Sequence, residues 1–270
     1  MKTPKQLGCL LIFLGLAIRI AAQSPVEWQQ LDHGLELGIF QASQPSIAGD
    51  RKIRILRIDP AKWQFQLLAA ADHEGKARTA REWASKFGMV AAVNAGMFQM
   101  DGLTNVGYMK VEGKVYNPRF NGDNTIVAFG TDSPKLPQFQ IIDRECQNWR
   151  QLLDQYKNAT QGIRMVDCKQ QNRWSQQPRI WSMVVIGMDK SGKGLFISCR
   201  SPYSVHDFID MLLGLDIDLH NAMYLEGGPE ASFFLKTADC EIEQFGSYET
   251  GFFESDANDR AWPIPNVIGI

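Results

Sequence analysis

Glu226 closes the apolar run 221–225 (NAMYL) and is followed at once by Gly227 and Gly228, with Glu230 and Ser232 just beyond. A carboxylate directly after an apolar strand must open onto a cleft or be paired, because an unpaired buried charge is costly. In a cleft Glu226 could act as general acid, general base or cation ligand. Glu230 adds a second carboxylate. Such a pair suits glycosidic cleavage, where one group protonates the leaving oxygen and the other activates water or attacks carbon. The plain alternative is a turn residue salt-bridged to an arginine.

The same design occurs earlier. The apolar run 89–93 (MVAAV) ends at Asn94-Ala95-Gly96. Glycine after a strand leaves backbone amides uncovered, able to face a ligand, and ligand sites gather at strand ends. Asn94 could position a sugar hydroxyl or a phosphate, or it could simply tie a turn. Arg179, just before the apolar run starting at Trp181, could grip a phosphate or carboxylate with two parallel hydrogen bonds. His206 is a reserve acid–base group, because imidazole titrates near neutrality. The candidates for catalysis are therefore Glu226, Arg179, Asn94 and His206. Those for substrate binding are Gly96, Gly227, Gly228, Glu230 and Ser232. Arg164, Arg200, Asn105 and the polar turn 121–124 (NGDN) have weaker context.

Other chemistries lack their signatures. The chain has no GxSxG elbow, no HExxH pair, and no glycine-rich nucleotide loop between a strand and a helix. Hydrolysis by carboxylates requires no cofactor, and a divalent cation such as calcium would be held by carboxylates, carbonyls and water. With 28 basic against 30 acidic side chains and no basic run, a nucleic-acid partner is not expected.

The first residues order themselves as an export signal: Lys2 and Lys5, then the uncharged run 9–18 (CLLIFLGLAI), then Ala21 and Ala22. The apolar run is shorter than the roughly 20 residues of a membrane span, so cleavage after Ala22 is expected. Residues 23–270 would then form one domain, periplasmic or secreted, with no integral membrane span. Cys146, Cys168, Cys199 and Cys240 remain. Export permits disulfides among them, in any of three pairings, and none forms a CxxC pair suited to zinc. Asn158-Ala159-Thr160 matches a glycosylation acceptor pattern.

These residues need elements to position them. Strands are predicted at 52–58 (KIRILRI), 63–67 (WQFQL), 89–93, 125–129, 139–142, 221–225 and 231–235. The C-terminal residues 267–270 could return as an edge strand. Hairpins are predicted at 106–109 with 114–116, turning at Glu112-Gly113, and at 181–188 with 195–199, turning at 189–192. Helices are predicted at 79–87, with Thr79 and Glu82 as a capping box, at 149–156, and after Ser204, with Asp207 as capping partner. The polar stretch 168–178 reads as loop. About ten strands and three helices, with hairpins among helix–strand units, predict an α+β fold: a mixed, largely antiparallel sheet core with a few packed helices.

Taken together, VNAGMF at 93–98, PRIWSMVVIGMDKSGKGLFI at 178–197, SVHDFIDMLLGL at 204–215 and NAMYLEGGPEAS at 221–232 resemble the phosphodiester glycosidase family. That family includes the lysosomal N-acetylglucosamine-1-phosphodiester uncovering enzyme, and the likeness is closer to its exported bacterial branch. The order and spacing of the pieces carry the resemblance from about residue 50 onward. It implies hydrolysis of a sugar-1-phosphodiester, with a glycan or sugar phosphate as substrate. Asn94, Gly96, Arg179, Glu226, Gly227 and Gly228 match motif positions. Two departures stand out. Where the family usually has Asp-Gly-Gly-Gly-Ser, this chain has Glu226-Gly-Gly-Pro229-Glu230-Ala-Ser232, and Ile180 replaces the threonine after the motif arginine. A glutamate carries its carboxylate one methylene further. The alternative reading is a non-catalytic exported module that binds polysaccharide or another cell-wall component.

Overall fold

The structure is a computed structural model and describes residues 28–270; the expected export signal at 1–22 lies outside the described residues. The strands are β1 Gln29–Asp32, β2 Leu35–Gln41, β3 Lys52–Ile58, β4 Gln66–Ala69, β5 Ala91–Asn94, β6 Met109–Val111, β7 Lys114–Asn117 and β8 Thr125–Phe129. They continue as β9 Phe139–Asp143, β10 Asn158–Val166, β11 Trp181–Asp189, β12 Gly194–Tyr203, β13 Leu219–Gly227, β14 Ser232–Lys236, β15 Glu241–Phe245 and β16 Asn266–Gly269. The helices are α1 Ala80–Phe87, α2 Trp149–Leu153 and α3 Val205–Leu213.

The strands form two sheets. An eleven-stranded sheet runs β1-β2-β3-β12-β11-β13-β10-β6-β7, with β8 pairing both β10 and β9; a five-stranded sheet runs β15-β14-β5-β16-β4. The pairings between these strands are antiparallel. The α+β class predicted from the sequence is the observed one, and no parallel pair is needed to build it. Both predicted hairpins form, β6 with β7 and β11 with β12. The C-terminal strand is not an edge: β16 lies between β5 and β4.

Side-chain alternation sets the layers. Leu56, Val184, Ile186, Phe196 and Leu225 of the large sheet meet Leu67, Val93, Phe233, Leu235 and Ile268 of the small one in a shared core. Each such side chain, fully removed from water, is worth about 1.5–3 kcal/mol. On the outer face of the large sheet α3 packs Phe208, Ile209 and Leu212 over Val185, Ile197 and Leu219. On the outer face of the small sheet α1 packs Trp83 and Ala84 over Ala92, Phe234 and Val267. The short α2 sets Trp149 and Leu153 over Ile126, Ala128 and Ala159. The helix ends follow their predicted signals. Thr79 and Glu82 make a reciprocal capping box, Gly88 closes α1 in the left-handed conformation, and the Ser204 hydroxyl accepts from the Asp207 amide.

Cys146 and Cys168 form a disulfide across a sequence separation of 22, while Cys199 and Cys240 are free thiols. Closing a loop of that length stabilises the fold by about 3 kcal/mol. Burial pushes the Cys199 thiol up to about 12, so it is inert as a nucleophile. The glycosylation acceptor pattern is occupied otherwise. Asn158 is buried on β10 and donates to Glu112 Oε1 at 2.6 Å while accepting from the Glu112 amide, which leaves no reachable amide.

One strand organises the region around the candidate residues. β10 pairs with β8 over 158–162, with β6 at Ala159–Thr160 and with β13 at Ile163–Val166. Gln161 and Gly162 lie between the stretches that pair with β6 and with β13. Buried polar groups collect there, and the ends of β5 and β13 approach this point.

Candidate active site

The register of β13 against β11 shifts between Val184 and Val185, so that Tyr224 lies opposite Val185 and Glu226 opposite Val184. Leu225 is the extra residue. A bulge of this kind re-aims the side chains that follow it. Glu226 is only 7% exposed, and its Oε1 accepts from the Gly227 amide at 3.0 Å. Burial above all, then the nearby Glu230 and Glu249 carboxyls, push its pKa up to about 8, against the opposing pull of the Gly227 amide. Glu230 is raised by burial and by Glu249, and Glu249 by burial, with Arg179 working the other way. Tyr224 is held well above the usual phenol range by burial and then by these carboxyls. Desolvated acids crowding one place, with a single opposing cation, are the arrangement that keeps a carboxyl protonated at neutral pH.

The two glycines are required by space. A Cβ on Gly227 would run into the Tyr224 hydroxyl and the Trp181 ring, and one on Gly228, whose φ is +60°, would strike Glu249. Glu249 itself comes from the segment after β15. It bridges to Trp181, while the Ile180 amide donates to Thr250 Oγ1 at 3.0 Å and the Thr250 amide to the Ile180 carbonyl at 3.1 Å. This zipper places the exposed Arg179 beside Glu249.

Asn94, Glu230 and Ser232 are joined directly. Asn94 Nδ2 donates to the Glu230 carbonyl at 3.0 Å, and its Oδ1 accepts the Ser232 amide at 2.7 Å. Asn94 thus pins the turn carrying Glu230 to the end of β5, with both ends of its amide engaged by backbone. Gly96 has φ +124°, and a Cβ there would press on Asn105 Oδ1 at 3.1 Å. Asn105 donates to the Gly107 carbonyl at 3.2 Å and to Thr160 Oγ1 at 3.3 Å, while Thr160 donates to the Ala95 carbonyl at 2.8 Å. Gln161 donates to the Asn121 and Asp123 carbonyls and accepts from the Tyr108 amide, which anchors the 121–124 turn.

Other candidates lie elsewhere. His206 stands on α3 with Nδ1 3.7 Å from Asp207 and 3.5 Å from Asp210, within ion-pairing distance but without hydrogen-bond geometry. Among the described residues no hydrogen bond or ion pair links it to Glu226. Arg164 is buried against Asp143 at 2.9 Å and also meets Glu145 at 2.9 Å. Arg200 pairs with Asp256 at 2.9 Å and donates to the Phe245, Asp256 and Asn258 carbonyls. Both arginines carry their charge pairing within the fold, Arg164 through its Nη1 alone.

As for a cation, among the described residues the ligand atoms of Asp143, Cys146 and Cys168 lie within 4.8 Å of one another. Both sulfurs there belong to the disulfide, so neither is a thiolate ligand. The three glutamates do not form such a group.

Sequence reasoning missed Glu249, Trp181 and Tyr224. Glu249 carries no local signal, since only the fold brings it to Gly228. Tyr224 did carry one: a hydroxyl-bearing ring two residues before a carboxylate in an otherwise apolar strand.

The fold and site define a two-sheet α+β domain with a desolvated carboxyl cluster at a glycine-broken strand end. A sequence profile of the phosphodiester glycosidase family matches residues 87–270, and the chain belongs to that family. No curated protein sequence matches it. Among solved structures it is similar to the catalytic domain of zebrafish N-acetylglucosamine-1-phosphodiester alpha-N-acetylglucosaminidase, auto-inhibited by its pro-peptide. There the TM-score is 0.62 at 15% identity, covering 92% of this chain and 86% of that one. A hypothetical protein from Synechocystis aligns with a TM-score of 0.59 at 14% identity, covering 92% and 64%. A Burkholderia pseudomallei protein described as exported gives 0.51 at 11%, covering 81% and 73%. At these identities the likeness is one of fold. No helix among the described residues is long and apolar enough to cross a membrane.

Proposed function

We propose that the protein is an exported, periplasmic or secreted hydrolase that cleaves the glycosidic bond of a sugar-1-phosphodiester or a related envelope glycan. Membership of the phosphodiester glycosidase family supports glycosidase-type chemistry. The observation that carries the catalytic assignment is Glu226: a buried carboxyl pushed up to about 8 beside two other raised carboxyls. A protonated carboxyl at neutral pH can donate to a leaving oxygen.

In this reading the bond between the anomeric carbon and the phosphate oxygen breaks. Its electron pair goes to that oxygen, and Glu226 supplies the proton. Water attacks the anomeric carbon and yields its own proton to Glu230 or Glu249. Arg179 meets the phosphate; its position beside Glu249 supports that role. Gly227 and Gly228 let Tyr224, Trp181 and Glu249 close in on the strand end beside Glu226. Asn94 and Ser232 fix the Glu230 turn, and Gly96 shapes the neighbouring loop. No step needs a cation.

The test is release of reducing sugar from synthetic sugar-1-phosphodiesters by the wild type and by Glu226→Gln. Turnover by the wild type, lost in Glu226→Gln, is the expected result. Equal rates in the two would remove Glu226 from the mechanism. Glycan binding without turnover of any substrate would favour a non-catalytic binding module instead.

A further inference from the structure

A cavity of about 410 Å³ opens between the 122–124 turn, the middle of β10 and the loop after Cys168; Asn124, Ile163, Arg164, Arg173, Trp174 and Gln176 line it. That volume falls within the roughly 300–1,000 Å³ of small-molecule sites. Glu226, Glu230 and Glu249 are not among its lining residues. Tyr224 links the two places. Its ring lies 6.0 Å from that of Trp174, its backbone is opposite Ile163, and its hydroxyl reaches the space beside Gly227 and Trp181.

We infer that this cavity is a saccharide subsite, so that the substrate is a glycan carrying at least one neutral sugar residue beyond the bond that is cut. The inference rests on the glycosidase reading above and specifies its substrate class.

Three features select a sugar. A sugar ring offers an apolar C–H face and a rim of hydroxyls, which suits an aromatic platform flanked by planar amides and a guanidinium. Trp174 supplies the platform and is already fixed: its indole nitrogen donates to the Arg164 carbonyl at 2.9 Å and its amide to Asn172 Oδ1 at 3.0 Å. Prior fixing lowers the cost of binding. The second feature is charge. Arg164 is neutralised by Asp143 and Glu145, and Arg173 lies 3.8 Å from Asp167, so the cavity holds no unpaired cation to select a second phosphate. The third is unmet donors. Arg164 Nε and Gln177 Nε2, on lining residues, are buried without a hydrogen-bond partner, a state that calls for an acceptor such as a hydroxyl oxygen.

The walls are tied from several sides. The Cys146–Cys168 bond joins the turn after β9 to the loop after β10, and the Asp143 carboxylate accepts from the Glu145 and Cys168 amides. Gln176 is held by Asp207 at 2.8 Å and by the Ser204 hydroxyl at 3.0 Å.

The experiment titrates the full-length oxidised protein with neutral tetrasaccharides of glucose, mannose, galactose and N-acetylglucosamine, and with the four monosaccharides. Calorimetry gives affinity, and N–H NMR follows the Trp174 indole resonance, assigned by its loss in Trp174→Phe. At least one tetrasaccharide should bind about tenfold or more tighter than its monosaccharide and shift the Trp174 signal. Trp174→Ala should abolish that preference. Arg173→Ala, an exposed substitution that leaves the loop intact, should weaken it several-fold. If no tetrasaccharide moves the Trp174 resonance, or if both variants bind like the wild type, the subsite is wrong. Glu226→Gln should bind the tetrasaccharide normally. Glu226-dependent turnover without any chain-length preference would overturn the subsite and leave the hydrolase reading standing. Trp174-dependent binding without turnover of any substrate would do the reverse.

Discussion

The ends of β5 and β13 look alike in sequence, each an apolar run broken by a polar residue and glycine, yet the fold uses them in opposite ways. At the end of β5 the polar group is satisfied. Asn94 gives its donor to the Glu230 carbonyl and its acceptor to the Ser232 amide. At the end of β13 the polar group stays in tension with its surroundings. Glu226 has one backbone amide for company and two other carboxyls nearby, and it escapes the cost of burial by keeping its proton. A buried polar side chain that is fully paired stabilises a turn; one that is left facing like charges stores reactivity. The first holds the second in place, because the turn Asn94 pins is the one carrying Glu230.

The contrast can be broken most severely by Glu226→Gln. Turnover should fall by about 10²–10⁴-fold, with the unfolding midpoint unchanged or raised, as measured by sugar release and by thermal melting. Asn94→Ala should show the opposite balance. It strands the Ser232 amide and the Glu230 carbonyl, and stability should drop by about 2–4 kcal/mol in urea unfolding. Activity would fall only because Glu230 moves. If Asn94→Ala melts like the wild type, the division of labour between the two strand ends is wrong.

Acidity sharpens the comparison further. The folded Glu226 gives up its proton at about 8 and the unfolded one near its ordinary 4.5, so between those values the unfolded state binds fewer protons. Stability should therefore be at its plateau below that window and decline as pH rises through it. Glu226→Gln should flatten this slope in unfolding curves, whereas Asn94→Ala should keep it. Turnover should fall as pH rises through about 8, because the acid form is the active one; a rise would make Glu226 a base. The smallest effect is expected of His206→Ala. Half-buried on α3, with its nearest charged neighbours on its own helix, it should change turnover by less than about twofold.

Much of this was legible beforehand. The 181–199 hairpin, the capped helices α1 and α3 and the apolar strands leading to Asn94 and Glu226 are written in local pattern. β10 is not. Its sequence NATQGIRMV mixes amides, glycine and arginine with few apolar residues, because its polar side chains bond to turns instead of packing in a core. β1, β2 and β15 were also missed, the last having intermediate and exposed positions throughout. Within the site, Glu226 and its glycines stand in one readable segment, whereas Glu249 reaches them through the distant pairing of Trp181 with the segment after β15. The bulge at Leu225 was hidden as well. Simple alternation sets Tyr224 and Glu226 on one face, but the shifted register brings Glu226 opposite Val184, a residue of the inter-sheet core.

β16 has a consequence for the timing of folding. It is the last strand in chain order, yet it lies between β5 and β4, donating Ile268 to the inter-sheet core and Val267 to the layer under α1. During synthesis β4 and β5 exist long before residues 266–269, but without them the small sheet is split down its middle. The central layer, and with it the turn that Asn94 fixes, can close only after residues 266–269 have emerged. Such late, long-range closure is slow.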